Sequence, residues 1–138
     1  MEPRMRNSLA TVTVWAILPT GAAIGVAATD EADLLEALKS SDEPTRLAAI
    51  DTLGQRGGKV EGAIPALIEQ LADDSTAVRA HAAQALGQIG PAAKEAAAAL
   101  AELVFDQDAV VRREAVEAYR DIRPGPEVSI PLFTKLFE

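Results

Sequence analysis

The sequence predicts an all-α fold, a short right-handed α-solenoid of about three helix pairs preceded by half a unit. Three observations predict it. The chain repeats itself at an interval of 33 residues, aligning residues 42–71, 75–104 and 108–137, and a period of that length marks units that bury their apolar faces against their neighbours. Within each interval apolar residues recur at helical spacing, as Val78, Ala82, Ala85, Leu86 and Ile89 do. Finally, hydrophobic residues make up 49% of the chain but aromatics only 4%. A core of Ala, Leu, Ile and Val with few large rings suits closely packed helices.

The elements follow in order. Arg4 and Arg6 precede a stretch without charge that lasts until Asp30, and residues 9–18 (LATVTVWAIL) give it an apolar centre. Pro19 and Gly21 interrupt any helix, and Val26, Ala27 and Ala28 supply the small-x-small ending of a signal peptide. Residues 1–28 are therefore expected to be removed after Ala28, which places the remainder outside the cytoplasm, periplasmic or secreted. The alternative is an uncleaved membrane anchor, since residues 7–29 are uncharged and long enough to span a bilayer; the basic end would stay inside and the repeats outside in that case too. A buried structural helix is the least suitable reading, because Trp15 and its surroundings have no counterpart in the repeats.

A half unit at residues 31–41 carries Leu34 and Leu38, one period before Leu67 and Leu71. Three units follow, at about 42–73, 74–106 and 107–138. Their first helices are expected near 44–55, 76–89 and 109–122, with Asp74 or Ser75 and Asp108 at N-caps and Pro44 in a first turn. Gly54, Gly57, Gly58, Gly87 and Gly90 read as helix ends. Second helices are expected near 62–72, 92–104 and 127–137. The units agree in kind: Arg46, Arg79 and Arg112 coincide, as do Ala49, Ala82 and Ala115, then Leu53, Leu86 and Tyr119, then Leu67, Leu100 and Phe133.

Composition narrows the function. The net charge is −8, and −9 once residues 1–28 are gone, which opposes binding that rests on neutralising phosphates; no nucleic-acid partner is expected. Cysteine is absent, so disulfides, thiolate zinc sites, a thiol nucleophile and a lipid-modified cysteine are excluded.

The segment VRAHAAQALGQIG at 78–90, with DDSTAVR before it and DQDAVVRREAVEAY one period later, resembles the HEAT-like repeats first described in phycobilin lyases. The resemblance covers about 31–138 and implies the solenoid. It leaves activity open, because scaffolds, bilin lyases, a di-iron hydroxylase and a DNA glycosylase share such repeats. The hydroxylases resemble one another in several His-Glu pairs, whereas His81 is the one histidine here and Ala82 follows it. The glycosylase type needs a basic, aromatic groove that this acidic chain lacks.

Among individual residues, Arg46, Arg79 and Arg112, with Asp73 and Asp106 six residues before the second and third, read as a ladder locking unit to unit; an anion-binding row is the alternative. Glu36, Glu69, Glu102 and Lys135 form a column one period apart, and the resemblance implies that it stripes the concave side, where it would receive a basic segment of a partner. Ordinary solvated charge is the competing reading. His81 is expected at the surface without ligand partners. The sequence GQRGG at 54–58 is a helix terminator, since no strand precedes it and no Lys-Ser or Lys-Thr pair follows. Ile130, Leu132, Phe133, Leu136 and Phe137 put apolar groups on more than one face of the last helix. Leu132, Leu136 and Phe137 are expected to contact a second copy or another protein. The function expected is that of an exported, noncatalytic protein-interaction scaffold, with no catalytic set, metal or cofactor. The alternative is an accessory or catalytic subunit handling a small cofactor such as a bilin.

Overall fold

The computed structural model describes residues 30–138; residues 1–28, with the expected signal, lie outside them. The described residues form seven α-helices: α1 (Glu31–Ala37), α2 (Glu43–Arg56), α3 (Ala63–Gln70), α4 (Thr76–Ile89), α5 (Ala97–Leu103), α6 (Ala109–Ile122) and α7 (Pro126–Phe137). Short 3₁₀ segments, Gly57–Lys59 and Gly90–Ala96, precede α3 and α5. There is no strand among the described residues, and no helix among them is long and apolar enough to cross a membrane.

The first helices α2, α4 and α6 start on side chains that satisfy their free amides. Asp42 accepts from the N–H of Thr45, Ser75 from Val78, and Asp108 from Val110 and Val111. The second helices have no such side-chain cap and depend on packing. The clearest departure from the expected boundaries is α5, which begins at Ala97 and not near Ala92. Pro91 removes an amide donor, and Ala93 leaves helical geometry (φ −95°, ψ 28°), so that stretch winds as a 3₁₀ segment.

The core is a set of columns at the repeat interval. Leu34, Leu67 and Leu100 are fully buried on α1, α3 and α5, and Leu53 and Leu86 are fully buried on α2 and α4, with Tyr119 continuing their column on α6. Each such leucine contributes roughly 1.5–3 kcal/mol by leaving water. The first helices stack directly on one another, and the second helices α1, α3 and α5 lie closest to the first helix of the next unit, α2, α4 and α6 in turn, while α7 packs on α5.

Two glycines make that stacking possible, which corrects their reading as helix ends. Gly54 and Gly87 lie inside α2 and α4. A Cβ on Gly54 would stand 2.9 Å from the Cβ of Ala85, and one on Gly87 would stand 3.0 Å from the Cα of Ala118. Each glycine therefore admits the backbone of the following first helix. Gly57 and Gly90 do end helices, with φ of 67° and 75°. One period on, these two pairs of positions hold Arg120 and Arg123. Arg123 keeps the positive φ, 55°, without the freedom of glycine.

Candidate interaction surfaces

The turns that lead into the first helices carry the arginine series. Arg46 donates to the carbonyl of Ser40 at 2.8 Å and faces Asp73 at 3.3 Å. Arg79 repeats this with the carbonyl of Asp73 at 2.9 Å and the carboxylate of Asp106 at 3.0 Å. Arg112 donates to the carbonyls of Asp106 and Gln107 at 2.7 and 2.9 Å. Each aspartate also accepts a backbone N–H, from Ser75 or Asp108. The sequence spacing set each aspartate six residues before an arginine; in the fold that residue supplies its carbonyl there, while its carboxylate takes the arginine one unit earlier. The ladder thus joins consecutive turns. Burial raises the proton affinity of Asp106, but the Asp108 amide and the Arg79 and Arg112 guanidinium groups outweigh it and hold the carboxyl below the usual aspartate value. Arg46 and Arg79 each engage a carbonyl and a carboxylate, whereas Arg112 is exposed and donates to backbone carbonyls.

Glu36, Glu69, Glu102 and Lys135 are all exposed on the second helices. They are not electrically equivalent. Glu36 pairs with Lys39 at 3.2 Å and Glu102 with Lys135 at 3.4 Å, both in solvent, where such pairs contribute little. Lys135 also lies 4.6 Å above the ring of Phe105. Glu69 has no ion pair among the described residues, so it is the carboxylate of this column least neutralised within the chain.

The end of the array differs from its middle. The exposed large apolar side chains among the described residues are Phe105, Val110, Val116, Leu136 and Phe137, all in the last unit or the turn that opens it. Val116 is in register with Ile50 and Ala83, both fully buried, yet is 51% exposed. Phe137 is in register with Leu38 and Leu71, both buried, and with the partly buried Val104, and is 89% exposed. The side chains of Ile130, Leu132 and Phe133 lie outside the described set. Between α6 and α7 is a cleft of about 360 Å³ whose lining includes Val104, Val116, Tyr119 and Leu136 with Arg120 and Arg123. The Tyr119 hydroxyl donates to Ser129 Oγ at 3.2 Å, which in turn donates to the carbonyl of Gly125, fixing α7 beside α6.

A model of HEAT repeats matches residues 31–120 and again residues 64–138. The chain belongs to the HEAT repeat family. No curated protein matches it in sequence. Among solved structures, this HEAT array is similar to an engineered protein whose crystal structure was determined by the Northeast Structural Genomics Consortium. The TM-score is 0.57 and the identity 24%, over 91% of this chain and 55% of the engineered one. This chain thus spans a little over half of that protein, and the likeness concerns the fold alone.

Two features of the HEAT array escaped the sequence reading. His81 is half-buried, and its Nδ1 lies 2.8 Å from Asp51 Oδ1 on the preceding first helix. The expected isolation of His81 is corrected by stacking: the two residues are one period less one helical turn apart, a spacing that would have found them. His81 borders a second cleft, about 440 Å³, between α4 and α6 with Thr76, Gln84, Asp108 and Glu114. No group of three or more metal-ligating side chains occurs among the described residues. The second missed feature is the replacement of Gly54/Gly57 and Gly87/Gly90 by Arg120/Arg123, legible in the sequence once the contact role of the first glycine of each pair is known.

Proposed function

We propose that this HEAT array is a noncatalytic protein-interaction scaffold, and that it works outside the cytoplasm after loss of residues 1–28. The observation that carries the first part is the concentration of exposed apolar side chains at one end of an otherwise well-covered solenoid. Leaving Val116 and Phe137 in water at positions that earlier units bury, with Leu136 exposed beside them, is unfavourable unless another surface covers them. A protein surface is the natural cover, because the exposed positions are spread over α6, α7 and the turn before α6 and do not line one enclosed cavity. Leu136, Phe137 and, from its place in the sequence, Leu132 form the core of that contact, with either a second copy or another protein. The Glu36, Glu69, Glu102 column is a second contact, for a basic segment. Export rests on the basic start, apolar centre and small-residue ending of residues 1–28.

The experiment is crosslinking capture with the tagged full chain from the native extracellular or periplasmic fraction, with intact mass measured on the same sample. Loss of residues 1–28 and one dominant protein partner is expected. An intact amino terminus would refute cleavage, and recovery of a tightly held small molecule without a protein partner would refute the scaffold. Glu69→Lys together with Glu102→Lys is expected to weaken capture; unchanged capture removes the acidic contact while leaving the apolar one standing.

A further inference from the structure

The cleft between α6 and α7 combines two chemistries. One is apolar: Val116 and Leu136 line the α6–α7 cleft and are about half exposed. The other is cationic: Arg120 and Arg123 line the same cleft, in a chain whose net charge beyond residue 28 is −9. Both arginines replace glycines that the first two units use for close helix approach and for the turn after it. A further first helix could not stack on α6 at the spacing seen between α2, α4 and α6, because Arg120 occupies the place where Gly54 and Gly87 admit the next backbone.

The arginines are also little used within the fold. Arg120 approaches only its neighbour Asp121, at 3.6 Å with both side chains largely in solvent, and Arg123 makes no ion pair or hydrogen bond among the described residues. Arg123 nonetheless occupies the left-handed region (φ 55°, ψ 60°), which disfavours a branched-out side chain relative to glycine.

We propose that this cleft binds an acidic, apolar-anchored segment of a partner protein. One aliphatic or aromatic side chain of the segment packs on Val116 and Leu136, and flanking Asp or Glu carboxylates take forked hydrogen bonds from Arg120 and Arg123. The proposal rests on the reading of the chain as a protein-binding module and names the partner's chemistry. An extended segment fits better than a small apolar acid, because exposed apolar surface continues beyond the cleft to Phe137. End-to-end stacking of copies on α6 is not the cover, because Arg120 stands where Gly54 and Gly87 admit the next backbone.

The test uses the full chain and a fluorescent synthetic peptide in which glutamates flank two leucines and a phenylalanine, read by anisotropy. The same peptide with glutamine for glutamate is the charge control. The glutamate peptide is expected to bind more tightly than the glutamine one, and less tightly as salt rises. Arg120→Gln with Arg123→Gln is expected to weaken it by about tenfold or more, with circular dichroism unchanged, and Arg120→Lys with Arg123→Lys to restore part of the loss. Val116→Ser is expected to weaken both peptides. Equal binding by the wild-type and glutamine variants overturns the proposal. So does tighter binding of dodecanoate than of the peptide, which assigns the cleft to a small acid, or a concentration-dependent dimer abolished by the arginine substitutions, which assigns it to a second copy. If capture of the native partner survives the arginine substitutions, the proposal fails while the scaffold reading stands; if no protein is captured at all, the scaffold reading itself fails.

Discussion

Replacing Asp106 by alanine tests whether the ladder, and not only apolar burial, holds successive units in register. In the intact protein its carboxylate takes the Nε of Arg79 at 3.0 Å and the amide of Asp108 at 2.9 Å, with only 10% of the Asp106 side chain and 18% of the Arg79 side chain exposed. Hydrogen bonds to charged groups contribute about 1.5–3 kcal/mol each when shielded. Arg79 keeps its bonds to the carbonyls of Asp73 and Asp74, so the substitution strands no bare guanidinium, and the larger penalty of an orphaned charge does not apply. The expected loss is therefore about 2 kcal/mol for Asp106→Ala, and about 1 kcal/mol for Asp106→Asn, whose amide oxygen still accepts from Asp108. Urea unfolding followed by circular dichroism reads both, with the exposed Glu69→Ala expected within about 0.5 kcal/mol of the wild type as control. The pH dependence has a definite sign. Asp106 titrates lower folded than unfolded, so its contribution is fully present above the unfolded value and lost as pH falls through the folded one. The gap between the wild type and Asp106→Asn should accordingly narrow on acidification. A loss below about 0.5 kcal/mol for Asp106→Ala, or a gap that widens in acid, would refute the ladder as a stabilising element.

The stacking glycines and the terminal arginine give two further expectations. Gly87→Val sets a branched side chain where even a Cβ would be 3.0 Å from the Ala118 backbone; overpacking should exceed the gain in helix propensity and cost about 2 kcal/mol, read from the same urea transitions. Arg123→Gly should instead stabilise the chain, by about 0.5 kcal/mol. Relief of left-handed strain, about 1–2 kcal/mol, is partly offset by the added freedom of glycine in the unfolded chain, about 0.4–1 kcal/mol. Weaker binding of the acidic peptide is expected alongside, since the substitution also removes one of the two guanidinium groups.

The helices, their order and the repeat were legible in the sequence because each is written locally. Arg46, Arg79 and Arg112 announce the period, Leu34, Leu67 and Leu100 the buried face, and Ser75 and Asp108 the helix starts. Capping and helical spacing act within a turn or two, so one chain segment contains all the information they need. The start of α5 was less legible, since Pro91 is compatible with the first turn of either an α-helix or a 3₁₀ segment.

The candidate surfaces divide the same way. Sequence by itself determined which residues recur, that the last unit is unusually apolar, and that the chain is acidic overall. Only the tertiary structure decided which arginine each aspartate serves, that His81 meets Asp51, that Gly54 and Gly87 are contact points and not helix ends, and that Arg120 and Arg123 share a cleft with Val116 and Leu136. The physical reason is that these outcomes depend on how far one helix rotates and how closely it approaches the next. That geometry is set jointly by the side chains of neighbouring units, and no single unit specifies it.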